Sequence, residues 1–162
     1  VGVTFEVIVV PAGTAYTRVS LFDDYTDGAD DLDLYVWECD SSTFLCTQVG
    51  LSGTPTSNEQ VDILLPKGGA PDLSSGFFYV IDVHGWQTDG PDANYTLFQW
   101  EFGLVDDAGN MTVDPSSVST TLGGSQTLTV DWSGLTEGAK YLGAISHSSP
   151  GGLEGLTLIG VE

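Results

Sequence analysis

Positive charge is almost missing from this chain: Arg18, Lys67 and Lys140 stand against 23 acidic residues, a formal net charge of −20 over 162 residues. Nucleic acid and anionic membrane surfaces are excluded as partners, because both are bound by Lys and Arg neutralising phosphate. Long apolar runs are missing too. The longest, residues 7–10 and 77–81, fall far short of the roughly 20 residues that cross a bilayer as a helix, so no membrane insertion is expected. Helix formers are scarce: 21 Gly and 7 Pro accompany a single Met, and Gly and Pro are the poorest residues for a helix interior. Histidine is limited to His84 and His147, and no Ser sits in a G-x-S-x-G elbow. His84 in His84-Gly85-Trp86 reads as a structural polar contact, and His147, followed by Ser148-Ser149-Pro150, as a loop residue. With 23 acids, pairs of carboxylates arise by chance and carry no signal for glycoside hydrolysis. The chain reads as non-enzymatic.

What is present is a globular, β-forming composition, 41% hydrophobic and 16% charged. Alternation with period two recurs: Val3, Phe5 and Val7; Leu32, Leu34 and Val36; Val61, Ile63 and Leu65 before the Pro66-Lys67-Gly68-Gly69 turn. Residues 77–83 are apolar on both faces and read as a central strand, while Thr96, Phe98, Trp100 and Phe102 share one face of the next. Strands are expected near 3–10, 15–22, 31–38, 60–65, 76–83, 93–102, 126–132, 140–147 and 155–161. Met111 to Val113 reads as a further short strand. This pattern is all-β, an antiparallel jelly roll or β-sandwich over residues 1–104. The composition shifts beyond Phe102 towards Thr, Ser and Gly. Residues 105–162 then form a small immunoglobulin- or fibronectin-like β unit, about 55 residues against the roughly 100 of a full immunoglobulin-like sandwich. Sixteen acids and two basic residues give the first unit a charge of −14; seven and one give the second −6.

Cys39 and Cys46 are separated by seven positions, which is wrong for a zinc pair and fits two positions across a hairpin. A disulfide here and two buried free thiols are the alternatives. The disulfide, with a chain that starts at Val1 without a leader, points to a processed, extracellular product. Asp23, Asp24, Asp27, Asp30, Asp31 and Asp33 fall within eleven residues around Gly28. The sequence Thr26-Asp27-Gly28-Ala29-Asp30 is echoed by Thr88-Asp89-Gly90-Pro91-Asp92. Hard oxygen donors on turns suit Ca²⁺, which makes Asp27, Asp30, Asp31, Asp89 and Asp92 the candidate metal ligands; the other reading is that these acids keep a loop soluble. Tyr35 and Trp37 share a strand face with Asp31 and Asp33, and Trp86 is expected in a Gly-rich loop, His84-Gly85-Trp86. These three aromatics are candidate ligand-binding rings for a polysaccharide or a fibrous protein; burial in a core is the alternative. Asn94-Tyr95-Thr96 and Asn110-Met111-Thr112 are glycosylation sequons.

Gly28-Ala29-Asp30-Asp31-Leu32-Asp33-Leu34-Tyr35-Val36 resembles the D-L-D-L-Y-V strand of bacterial pre-peptidase C-terminal domains. Phe78-Tyr79-Val80-Ile81-Asp82-Val83-His84-Gly85-Trp86 and Ala93-Asn94-Tyr95-Thr96-Leu97 resemble later strands of the same domain. The tail, with Ala108-Gly109-Asn110-Met111-Thr112-Val113, Asp131-Trp132-Ser133-Gly134-Leu135 and Lys140-Tyr141-Leu142-Gly143, is similar to the C-terminal module of large secreted subtilisin-like serine proteases. The resemblance implies a non-catalytic appendage following a protease domain, whose relatives bind collagen-like substrates, bind calcium or are trimmed during maturation. The protease's own Asp, His and Ser motifs do not occur here, and the Cys39/Cys46 pair departs from the pattern. The expectation is an accessory region serving stability, secretion or substrate docking. The alternative is a structural subunit that self-associates through its terminal strands into a filament or surface layer, motivated by the undersized second unit and by the apolar, β-prone end from Leu156 to Val161.

Overall fold

The computed structural model describes residues 2–162 and consists of β-strands joined by turns, with one short 3₁₀ turn, Asp23–Tyr25. Among these residues no helix is long and apolar enough to cross a membrane. The chain divides into two compact units, Val1–Leu104 and Val105–Glu162.

The first unit is an antiparallel β-sandwich. One sheet holds β1 (Val3–Ile8), β3 (Asp31–Asp40), β4 (Cys46–Ser52) and β6 (Phe77–Gln87) in the order β1-β6-β3-β4. The other has β2 (Thr14–Leu21) between β5 (Glu59–Leu64) and β7 (Phe98–Gly103). Alternation decides what is inside. Leu32, Leu34 and Val36 of β3 meet Tyr79, Ile81 and Val83 of β6, and Val19 and Leu21 of β2 meet Val61 of β5 in one buried cluster. Gly50 of β4 lets the sheets approach: a Cβ there would lie 2.2 Å from Val61 Cγ1. The doubly apolar segment 77–83 lies in β6, hydrogen-bonded to β1 on one side and β3 on the other.

Several strand expectations needed correction. β4 is missing from the strands expected by alternation, although the hairpin placing of Cys39 and Cys46 implied a partner strand there; its residues are mostly exposed. The strand expected over 93–102 begins only at Phe98. Its first part is diverted to the 23–27 loop, where Asp27 N–H donates to Asn94 O and Thr96 N–H to Tyr25 O. Trp86 belongs to β6 rather than to a loop. Finally, the apolar face of β1 is exposed, with Phe5 64% accessible at the sheet edge.

The second unit contains two two-stranded antiparallel sheets. One pairs β8 (Met111–Asp114) with β9 (Thr129–Trp132). In the other, β10 (Tyr141–Ser149) and β11 (Gly152–Val161) form a long hairpin turning at Pro150-Gly151, with a bulge at His147/Ser148. Both hairpin strands run further towards the turn than alternation indicated.

Candidate functional site

The two T-D-G-x-D segments do meet. Asp30, 4% exposed, accepts the Asp89 N–H on Oδ1 at 3.0 Å, and Asp89 Oδ2 accepts the Ala29 N–H at 3.1 Å. Gly28 is required at this junction, because a Cβ would come within 2.7 Å of the Asp89 carboxylate oxygens. Asp27, however, is taken by Asn94: its Oδ1 accepts the Asn94 N–H at 2.6 Å and its Oδ2 the Nδ2 group at 2.5 Å. These bonds hold the exposed Asp27 carboxyl below its ordinary range. Asp31 points its carboxylate to a different place, described below, and Asp92 stands exposed on its loop. The carboxylates of the acidic loop thus act as acceptors for backbone and amide N–H groups. Among the described residues no three His, Cys, Asp or Glu side chains are grouped so as to hold a metal ion, and Ca²⁺ requires six to eight oxygens. Of the two sequon asparagines, Asn94 donates its Nδ2 group to Asp27, while the bond at Asn110 is made by its backbone carbonyl, which accepts the Ser133 N–H at 2.9 Å.

Cys39 and Cys46 stand opposite each other in the β3–β4 ladder and form a disulfide. The Asp40 carboxylate caps the hairpin beyond it, accepting the N–H groups of Ser42 at 2.8 Å and Thr43 at 2.9 Å.

The aromatic candidates gather on the outer face of the four-stranded sheet. Period two sends Asp31, Asp33, Tyr35 and Trp37 of β3 to that face, with Val80, Asp82, His84 and Trp86 beside them on β6. Trp37 Nε1 donates to Asp82 Oδ2 at 3.0 Å, which fixes the indole against the sheet. The His84 ring lies edge-on between Tyr35 and Trp86, 6.2 Å from each. Where β3 meets β6, Leu32 pairs with Gly85 and Asp31 with Gln87, so Trp86 is the extra residue of a β-bulge. It is 62% exposed.

Asp31, Asp33, Tyr35 and Trp86, with the 53–55 loop, enclose an open cleft of about 360 Å³. The loop is held from beneath by Glu59, which is 1% exposed. Its Oε1 accepts Thr54 N–H at 2.6 Å and Thr54 Oγ1 at 2.7 Å, and its Oε2 is bonded by Ser52. Gly53 lets the loop pass the cleft wall, since a Cβ there would stand 2.9 Å from Asp33 Oδ1. Burial, and then the charge of Asp31, push the Asp33 carboxyl above its ordinary value; the Tyr35 hydroxyl opposes this, Glu59 adds to it and His84 opposes it. Glu59 and this loop were not among the residues picked out from the sequence. The signal was an acid on the inward face of a strand, in phase with Val61 and Ile63.

The molecule is therefore an all-β, disulfide-bonded chain with an acidic aromatic cleft on one sheet face. Over 113 residues, 68% of the chain, it is 30% identical to pyrolysin of Pyrococcus furiosus, and it spans only 7% of that relative's length. No family model matches the chain, and no solved structure matches it significantly.

Proposed function

We propose that the chain is a non-catalytic, extracellular accessory region of a secreted subtilisin-like protease, and that it serves to dock substrate. The observation that supports this reading is the match of 68% of the chain to a small part of pyrolysin, a subtilisin-like protease. The open aromatic face favours docking over a purely structural role, because exposed rings beside polar groups are what recognition surfaces supply. The test has two parts. The coding sequence upstream of Val1 should encode a subtilisin-like catalytic domain. Deleting this region from that polypeptide should then leave kcat/KM on a short soluble peptide unchanged and reduce hydrolysis of an insoluble protein. An upstream frame without a protease would overturn the reading.

One observation favours a second reading, a self-assembling structural subunit. β1 is a sheet edge with Val3, Phe5 and Val7 exposed, and β11 pairs only with β10 among the described residues and carries neither Lys nor Pro. Light scattering across an ionic-strength series checks it: salt screens the repulsion of chains of charge −20, so a subunit grows into polymer as salt rises, whereas an appendage stays monomeric.

A further inference from the structure

We propose that the cleft between β3, β6 and the 53–55 loop receives a lysine or arginine side chain from an extended segment of a polypeptide partner. The cleft sets two carboxylates, Asp31 and Asp33, beside two aromatic rings, Tyr35 and Trp86. Asp31 Oδ1 is buried without a hydrogen-bond partner, and a buried carboxylate oxygen left in that condition is costly. Asp33 is disfavoured as an anion by burial and by Asp31, with Glu59 adding to the same field. The cleft thus holds an excess of negative charge that an incoming cation would relieve.

Among the described residues, the Lys and Arg side chains are engaged elsewhere. Arg18 is paired with Asp62 at 2.7 Å, Lys67 with Glu38 at 2.5 Å and Lys140 with Glu162 at 2.6 Å. No Lys or Arg side chain of the described residues fills the cleft, and the lining selects the kind of occupant it takes. A neutral sugar would stack on Trp86 but leave the carboxylates in mutual repulsion. A calcium ion needs an oxygen shell that two carboxylates and two rings do not build. An ammonium or guanidinium group uses everything present: the carboxylates as charged acceptors and the ring faces for cation–π contact. The overall charge of −20 draws basic segments towards the surface, and the exposed edge of Trp86 leaves room for the polypeptide that carries the side chain.

This inference rests on the docking role above, and the experiment separates the two. The full chain is titrated with Ac-Gly-Lys-Gly-NH₂, Ac-Gly-Arg-Gly-NH₂ and the neutral Ac-Gly-Gln-Gly-NH₂, following the backbone N–H resonances of Asp33, Tyr35 and Thr54 and, where it is present, the Trp86 indole N–H. Saturable shifts are expected with the two basic peptides and none with the neutral one. Asp33→Asn should weaken binding at least fivefold, as should Trp86→Ala, a substitution at an exposed position that leaves the fold intact. Glu101→Gln, which removes the same charge from an exposed site on the other sheet, should change affinity less than twofold. Equal loss in Glu101→Gln would reduce the effect to the general field and overturn the pocket. Equal binding of the neutral peptide would sink the charge requirement while leaving docking intact. Absence of binding by any peptide would overturn the inference, while the docking role stands or falls on the hydrolysis of insoluble protein described above. Saturable shifts of Trp86 with CaCl₂ or with a neutral oligosaccharide, undiminished in Asp33→Asn, would also overturn it.

Discussion

Asp30 and Asp89 clasp two loops that lie 59 residues apart in the chain: the Asp30 carboxylate accepts the Asp89 N–H at 3.0 Å. Asp89 returns a bond to the backbone beside Asp30, at Ala29. Asp30→Ala should therefore cost about 1–3 kcal/mol in urea unfolding, because the part-buried bond from Asp89 N–H to the Asp30 carboxylate is lost. Asp30→Asn keeps an oxygen at that point and should recover much of the loss. Equal destabilisation by both variants would show that charge, rather than the acceptor, matters.

The Cys39–Cys46 disulfide closes the β3–β4 hairpin, so its chief effect is on the unfolded chain. Reduction, or the double substitution to Ser, should lower stability by about 2–3 kcal/mol. Thiol titration of the unfolded, unreduced protein should find no free thiol; finding two would overturn the pairing.

Acid should weaken the β2–β5 pairing. Burial works against ionisation of Asp62, but hydrogen bonds from Arg18 and Tyr16 and the guanidinium charge outweigh it and hold the carboxyl below its ordinary range. A group whose folded pKa is depressed stabilises the protein fully above its unfolded value, about 3.9 for Asp, and loses that contribution as pH falls through the folded value. The Asp62 side chain is 39% exposed, so solvent screening limits the effect to about 1 kcal/mol or less. Melting temperatures of the native chain and Asp62→Asn should differ at pH 7, and the gap should narrow as pH falls below about 3.9. A gap that stays constant down to the acid unfolding limit would mean the pair acts through packing instead.

Gly50→Ala should destabilise by about 1–3 kcal/mol through overpacking against Val61. Val61→Ala costs stability alone, yet in the double variant it should offset part of the Gly50→Ala loss, giving a coupling that a double-mutant cycle reads. Strict additivity would show that the sheets relax to admit the methyl group.

The sandwich was legible wherever a strand buries one face. Leu32, Leu34 and Val36 announce β3, and the two-sided apolar run announces β6. β4 was not legible by alternation, because its ladder partner and its disulfide place it. Residues 93–97 misled for the opposite reason: their alternation is strand-like, but Asp27, Tyr25 and Asn94 tie them to a loop. The aromatic face followed from period two, which put Tyr35 and Trp37 beside Asp31 and Asp33. The cleft did not, since it depends on a bulge at Trp86, which leaves no periodic trace, and on a loop anchored by Glu59, whose mark is a single acid in phase with Val61 and Ile63. The acidic loop shows the limit of composition. A dense run of Asp is equally a set of cation ligands and a set of acceptors for N–H groups, and only geometry separates these.

The pairing of all three basic side chains bears on how long the chain would survive outside a cell. Trypsin-like peptidases cut after Lys or Arg, leaving them three bonds in 162 residues. The bond after Arg18 lies within the middle strand of its sheet, laddered on both sides. The bond after Lys67 enters a stretch whose backbone is bonded to Val10 and Phe77, and Lys140, its side chain only 10% exposed, adjoins β10. Digestion would have to wait for local opening, so a chain of this composition is suited to persist among peptidases of that specificity.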